Sequence, residues 1–258
     1  MAFLRRFLGR LNAPPAPALP VPVQTLPDGP LYAVGDVHGQ ADQFDRLQEA
    51  ILTDARTRGE DVARIVLLGD YVDRGPDSAG MLDRMCAPAP SGVERLCLKG
   101  NHEAMFQNFL DAPDPRHAWL DFGGRETLAS YGLYTDRLAA APRHFAASIQ
   151  AMIPAEHIDF LATLPLAASN ATHFLCHAGV DPARPLDAQD EQTLLWIREP
   201  FLSHDAPLER IVVHGHTPVS APDLRGWRIN VDTGAYSGGP LSAVRLDATR
   251  PPEILNIN

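Results

Sequence analysis

Gly69-Asp70-Tyr71-Val72-Asp73-Arg74-Gly75 directly follows Ile65-Val66-Leu67-Leu68, an apolar run short enough for a buried strand. The heptapeptide therefore stands where a central strand ends and the chain turns, with a glycine at either end. Ligands of open α/β sheets gather at the carboxyl ends of strands. Two carboxylates and an arginine at such a place suit chemistry on a phosphate held by metal. Alone, a Gly-Asp pair after a strand is ordinary turn chemistry. The reading gains force because the same grammar recurs four more times.

Upstream, Leu31-Tyr32-Ala33-Val34 reads as a strand ending in Gly35-Asp36-Val37-His38-Gly39, and Phe44, Leu47, Ile51 and Leu52 follow at helical spacing. Downstream, a short helix around 79–85 leads to a strand over 93–98 that ends in Lys99-Gly100-Asn101-His102-Glu103. Strand and helix alternate, and the three polar clusters lie about 30 residues apart, the length of a βαβ unit. Right-handed crossovers between parallel strands bring all three to one sheet edge. Further on, the strand Thr172-His173-Phe174-Leu175-Cys176 ends in His177-Ala178-Gly179, and Ile211-Val212-Val213 ends in His214-Gly215-His216-Thr217-Pro218. A helical stretch over 190–199 carries Trp196 and Arg198, and short strands alternate at 227–231, 241–246 and 254–257. Between about 111 and 170, scattered prolines interrupt helical pieces at 142–151 and 154–164 without a strong strand signal. That predicts a helical insertion over the site, shaping the substrate entrance.

The chain has 258 residues, enough to bury a large core as one domain. Acidic residues outnumber basic ones by 32 to 22, a formal net charge of −10. That balance argues against a nucleic-acid binder, which needs a basic stripe, while leaving room for a phosphorylated substrate drawn in by bound metal. The 3 cysteines, Cys86, Cys97 and Cys176, form no CxxC pair and no disulfide framework, so a cytoplasmic location is expected. No apolar run is long enough for a transmembrane segment. Residues 1–12 set Phe3, Leu4, Phe7, Leu8 and Leu11 against Arg5, Arg6 and Arg10; so short an amphipathic helix is marginal alone. We read it as a frayed leader, with peripheral membrane contact as the sharper alternative. Residues 13–30 read as a Pro/Ala-rich linker, so residues 1–30 precede a single domain over 31–258.

Asp36, His38, Asp70, Asn101, His177 and His216 are the polar groups that the strand ends collect. Carboxylate, imidazole and amide oxygen together suit a divalent transition metal, manganese first, with iron or zinc also fitting. Six donors exceed one tetrahedral zinc but match two divalent metal ions sharing a bridge, for which Asp70, in the middle early cluster, is the natural carboxylate. Such a pair clamps attacking and leaving oxygens of an in-line phosphoryl displacement and lowers the pKa of a held water toward about 7.

In combination, Gly35–Gly39, Gly69–Gly75, Gly100-Asn101-His102-Glu103, His177-Ala178-Gly179 and Gly215-His216-Thr217 resemble the signatures of the phosphoprotein phosphatase family of metallophosphoesterases, over about residues 31–246. Within it, the chain is most similar to compact bacterial and phage Ser/Thr protein phosphatases. The resemblance implies an α/β calcineurin-like fold, two packed mixed β-sheets flanked by helices. It implies that Asp36 and His38 bind one metal, that Asp70 bridges, and that Asn101, His177 and His216 bind the second. It makes His102 the general acid and Asp73 its orienting carboxylate, a pairing that acid–base chemistry favours independently. Arg74, and less securely Arg198, would grip the phosphate. The implied activity is hydrolysis of a phosphoprotein or phosphopeptide at serine or threonine, with phosphotyrosine as a further substrate and no phosphoenzyme. A symmetrical bis(5′-nucleosyl)-tetraphosphatase, using the same catalytic residues, is the alternative. A non-catalytic phosphoprotein-binding module is the third reading, weakened because no ligand or acid is lost.

Each assignment has a plainer rival. One histidine after a strand is commonly a hydrogen-bonded turn residue; five clusters together favour metal. Arg198 divides evenly between phosphate binding and flanking Trp196. His214 reads as structural or as supporting the site, and Asp232 as a turn residue. Cys176 reads as a buried small residue, since this chemistry needs no thiolate.

Overall fold

The computed structural model describes residues 21–136 and 142–258. The amphipathic segment 1–12 and residues 13–20 of the Pro/Ala stretch lie outside them. A short strand β1 (Val23–Thr25) precedes the expected alternation: β2 (Leu31–Val34), α1 (Ala41–Thr57), β3 (Ala63–Leu67), α2 (Ser78–Cys86), β4 (Val93–Cys97) and α3 (Asn101–Asp111). β2, β3 and β4 run parallel, with Val34 opposite Leu67 and Leu67 opposite Cys97. The clusters that follow these strands are therefore level at one edge.

The segment after α3 holds a 3-10 turn (Ala118–Phe122), α4 (Gly124–Ser130), α5 (Pro142–Met152) and α6 (Ala155–Thr163). β5 (Ala167–Ser169), β6 (His173–Cys176), α7 (Glu191–Trp196), β7 (Ile211–His214), β8 (Asp223–Leu224) and β9 (Arg228–Asn230) come next. β10 (Leu241–Asp247) and β11 (Arg250–Ile257) close the chain. Two mixed sheets result, one of five strands in the order β11-β10-β2-β3-β4 and one of six in the order β1-β5-β6-β7-β9-β8.

Strand periodicity sets how these layers stack. Tyr32, Val34, Ile65 and Leu67 face the helices, packing with Phe44, Leu47 and Ile51 of α1. Their neighbours Leu31, Ala33, Val66 and Leu68 face the second sheet and meet Leu175, Val213 and Ile229. On that sheet's far side, Phe174 and Val212 pack with Leu194, Phe201 and Trp227. Strands buried on both faces read as continuous apolar runs, which is why they were visible in the sequence.

Besides the two-residue β8, which the sequence reading does not include, two short strands fall in stretches read otherwise. β1 lies inside residues 13–30, read above as linker, and pairs parallel to β5. It is an edge strand, where Pro22 and Pro27 around it remove no ladder bond that a neighbour needs. β5 falls inside the stretch 111–170 read as helical; Ala167-Ala168-Ser169 carries little strand propensity and is held by β6, with Ala167 opposite Cys176. Among the described residues, no helix is long and apolar enough to cross a membrane.

Candidate metal centre

Among the described residues, five non-glycine residues adopt left-handed backbone: His38 (φ 46°), Asp70 (53°), Asp73 (73°), Arg74 (67°) and His216 (66°). Each such conformation costs on the order of 1–3 kcal/mol and persists only where the surroundings over-determine it. All five are residues that the strand-end motifs single out. The main restraint is Glu103, whose buried carboxylate accepts the backbone N–H groups of Asp70 and Gly100 at 2.8 Å through one oxygen. Its other oxygen accepts Tyr71 N–H at 2.8 Å and Val72 N–H at 3.3 Å. The Tyr71 hydroxyl donates to the Leu98 carbonyl at 2.6 Å, and Val37 and His38 N–H donate to the Asp70 carbonyl at 3.1 and 2.8 Å. The loops after β2, β3 and β4 are thus tied together through backbone. Gly100 has no substitute, because a Cβ there would collide with the Asp70 carboxylate and backbone nitrogen.

The side chains converge in two groups that share Asp70. Donor atoms of His38, Asp70 and His102 lie within 4.8 Å of one another, and so do those of Asp70, His177 and His216. Asn101 joins the second, its Oδ1 2.8 Å from His177 Nε2 and 2.9 Å from His216 Nδ1. Asp36 stands outside both groups; its carboxylate accepts the His216 backbone N–H at 3.1 Å and faces Asp232. Arg198 is exposed at the margin, close enough that its charge, after burial, helps lower the His216 imidazole to about 3.

These residues fit divalent cations on their own chemistry. His38 Nδ1 donates to the Val72 carbonyl at 2.7 Å, so its Nε2 carries a lone pair, 3.5 Å from Asp70 Oδ2. His177 Nδ1 donates to the Leu68 carbonyl at 3.0 Å, which leaves its bare Nε2 facing Asn101 Oδ1 and, at 3.4 Å, Asp70 Oδ1. Lone pairs aimed at lone pairs are repulsive unless a cation lies among them. His216 Nε2 and Asp232 Oδ2 are buried with no hydrogen-bond partner. Burial, with Asp232 and Asp70 nearby, holds Asp36 well above the usual carboxylate range; burial and Glu103 do the same to Asp70. Burial holds His38 and His177 well below the usual imidazole range. Neutral imidazoles and carboxylates that resist ionising alone are the state a bound cation resolves.

Beside the cluster sits a histidine–carboxylate pair. His102 Nδ1 donates to Asp73 Oδ2 at 2.6 Å, and burial, then Arg74, brings the imidazole down to about 3. Asp73 also accepts the Trp119 indole N–H at 2.6 Å and the Thr127 hydroxyl at 2.7 Å. Burial pushes Asp73 up to about 8 while Thr127 and Trp119 pull it back. Arg74 lies 4.5 Å over the Tyr236 ring and donates to His38 Nε2 at 3.1 Å, at the rim of a cleft of about 650 Å³.

Glu103, Trp119, Thr127 and Tyr236 carry parts of this site that the sequence reading gave no role. Glu103 stood within a quoted motif, three residues after Gly100, the spacing of a capping interaction that signals its backbone role. Nothing local marks Trp119 or Thr127, which meet Asp73 only through the fold. Asp232, read as a turn residue, accepts the Gly234 N–H at 3.0 Å, while its second oxygen remains buried and unpaired against Asp36. His214 turns away from the cluster, its Nε2 accepting from Arg228 at 3.1 Å.

A family model described as calcineurin-like phosphoesterase matches residues 29–247. The asymmetrical bis(5′-nucleosyl)-tetraphosphatase PrpE of Geobacillus thermodenitrificans is 29% identical over 233 residues, covering 82% of this chain and 88% of that protein. A crystal structure of a putative diadenosine tetraphosphatase superposes with a TM-score of 0.59 at 23% identity, covering 92% of this chain and 99% of that one. A Ser/Thr phosphatase of Saccharomyces cerevisiae, similar to human PP5, gives 0.55 at 19% identity, covering 93% and 84%. The structural likenesses speak to the fold.

Proposed function

The chain belongs to the calcineurin-like phosphoesterase family and is a metal-dependent phosphoesterase; we propose that its substrate is a dinucleoside tetraphosphate. The observation that carries this choice is similarity to a tetraphosphatase running through most of both chains, which leaves the relative few residues unmatched. It favours the alternative of the sequence reading over its protein phosphatase, and the relative's asymmetrical cleavage over the symmetrical one named there.

Asp36, His38, Asp70, Asn101, His177 and His216 would hold two divalent cations, which supply Lewis acidity toward the phosphoryl group and a nucleophilic water near neutral pH. Arg74, stacked on Tyr236, offers a fork of N–H donors to phosphate oxygens, and Arg198 is the second candidate from the opposite margin. His102 would serve as general acid in its doubly protonated form: Asp73 holds the Nδ1 proton, and the second proton, required on Nε2 for the step, is aimed into the cluster, 3.9 Å from Asp70 Oδ2. Trp119 and Thr127 keep Asp73 in that orientation, so the imidazole meets a leaving oxygen without reorganising.

A Ser/Thr protein phosphatase is the second reading, favoured by the rim of the Arg74 cleft. Asp121 and Glu126 line it alongside Arg125, and acidic groups suit a cationic peptide better than a polyphosphate. The two readings separate when metal-reconstituted protein is given Ap4A and a phosphoserine peptide in parallel, with products resolved by chromatography. Dominant ATP and AMP release supports the proposal; dominant ADP moves it to symmetrical cleavage. Faster phosphate release from the peptide, with Ap4A intact, overturns it.

A further inference from the structure

We propose that a groove beside the metal cluster seats a purine base of the nucleotide substrate; this rests on the dinucleoside reading. The groove encloses about 280 Å³ and is lined by Met105, Asn108, His117, Trp119, Phe122 and Trp196. Two of its wall residues also touch the centre. Trp119 holds Asp73 through its indole N–H, and the Trp196 ring lies 6.3 Å from the His216 ring, nearly perpendicular. Helix α3 serves both places, carrying Asn101 and His102 in its first turn and Met105 and Asn108 further along.

Two large aromatics in this lining remain in water, Phe122 at 55% and Trp196 at 37% exposure. Aromatic faces left open in this way bind any base by stacking. The polar edge has defined chemistry. His117 Nδ1 accepts the Trp119 backbone N–H at 3.2 Å, so its Nε2 carries the proton and donates to Asn108 Oδ1 at 3.0 Å. With Oδ1 engaged, Asn108 offers a ligand its amide N–H donors, complementary to the ring-nitrogen acceptors on a purine edge. A flat, apolar-faced heterocycle with edge acceptors is the occupant this lining describes. An aliphatic peptide side chain would leave the amide unanswered.

The test uses the full, metal-loaded chain and the variants Trp196→Ala and Phe122→Ala, with Trp196→Phe as a conservative control. Four readouts are taken: Ap4A hydrolysis, phosphopeptide hydrolysis, 4-nitrophenyl phosphate hydrolysis, and AMP binding by calorimetry. Loss of one stacking face is expected to raise KM for Ap4A and Kd for AMP about tenfold. For Phe122→Ala the Ap4A kcat should stay within about twofold and 4-nitrophenyl phosphate kinetics should be unchanged, and Trp196→Phe should recover most of the affinity lost in Trp196→Ala. If the parent cleaves Ap4A and both alanine variants keep its KM and the AMP affinity, the seat is wrong while the substrate reading survives. If the parent neither cleaves Ap4A nor binds AMP, both fall. A raised KM for phosphopeptide in place of Ap4A assigns the groove to a peptide side chain and overturns the purine seat.

Discussion

Glu103→Gln is the substitution that most sharply probes how the centre is held. It preserves shape and volume, so no cavity complicates the result, yet it turns one carboxylate oxygen into an N–H₂ group facing backbone donors. At the Oε2 position that group would confront Asp70 and Gly100 N–H, both now bonded at 2.8 Å. At the Oε1 position it would confront Tyr71 N–H, bonded at 2.8 Å, and the longer 3.3 Å contact from Val72. The amide should choose the second orientation, losing one good bond and one weak one. A buried donor left unsatisfied costs about 1–3 kcal/mol, so the expected loss of stability is about 2–4 kcal/mol. In a chain of this length that corresponds to a fall in Tm of roughly 5–10 °C. The loosened turn carries Asp70, Asp73 and Arg74 in left-handed backbone, so metal affinity should fall as well. Chemical denaturation with and without Mn²⁺, plus metal analysis after dialysis, reads both effects. A stability loss under about 0.5 kcal/mol with full metal retention would refute the idea that Glu103 fixes this turn.

Other expectations concern the acid arm and the cations. His102→Asn should keep fold and metal but lose most turnover on poor leaving groups, with activated aryl phosphates spared; equal loss on both would mean that the imidazole holds the site together instead. Trp119→Phe removes one donor to Asp73 while keeping the packing against Phe106, whose ring lies 4.7 Å away. It should lower kcat for poor leaving groups about tenfold with little change in KM, and an unaltered kcat would remove Trp119 from the orientation of Asp73. Mn²⁺ at a hundredfold its Kd should stabilise the stripped protein by about 2.7 kcal/mol per site, read as a rise in Tm that EDTA reverses.

The strand-end motifs were legible because each occupies contiguous residues at the end of a buried run, as with Asp70 after Ile65–Leu68. The helices at 142–152 and 155–163 were legible from periodicity and prolines. β1, β5 and β8 were not, since two or three residues have no periodicity to read and owe their extended form to a neighbouring strand. The environment of Asp73 was equally hidden. Trp119 and Thr127 approach it from the segment after α3, and only the fold decides which of its side chains turn inward. The proposed base seat was hidden for a related reason, as only the fold leaves Phe122 and Trp196 exposed beside the cluster.

The central claim is that the strand-end clusters form one site for two cations with Asp70 common to both. Counting bound metal in Mn²⁺-reconstituted protein and in Asp70→Asn, by mass spectrometry after gel filtration, tests it most directly. The account predicts two ions per chain in the parent and loss of metal in the variant, with the fold retained by circular dichroism. A single ion in the parent, or two ions still held by Asp70→Asn, would contradict it.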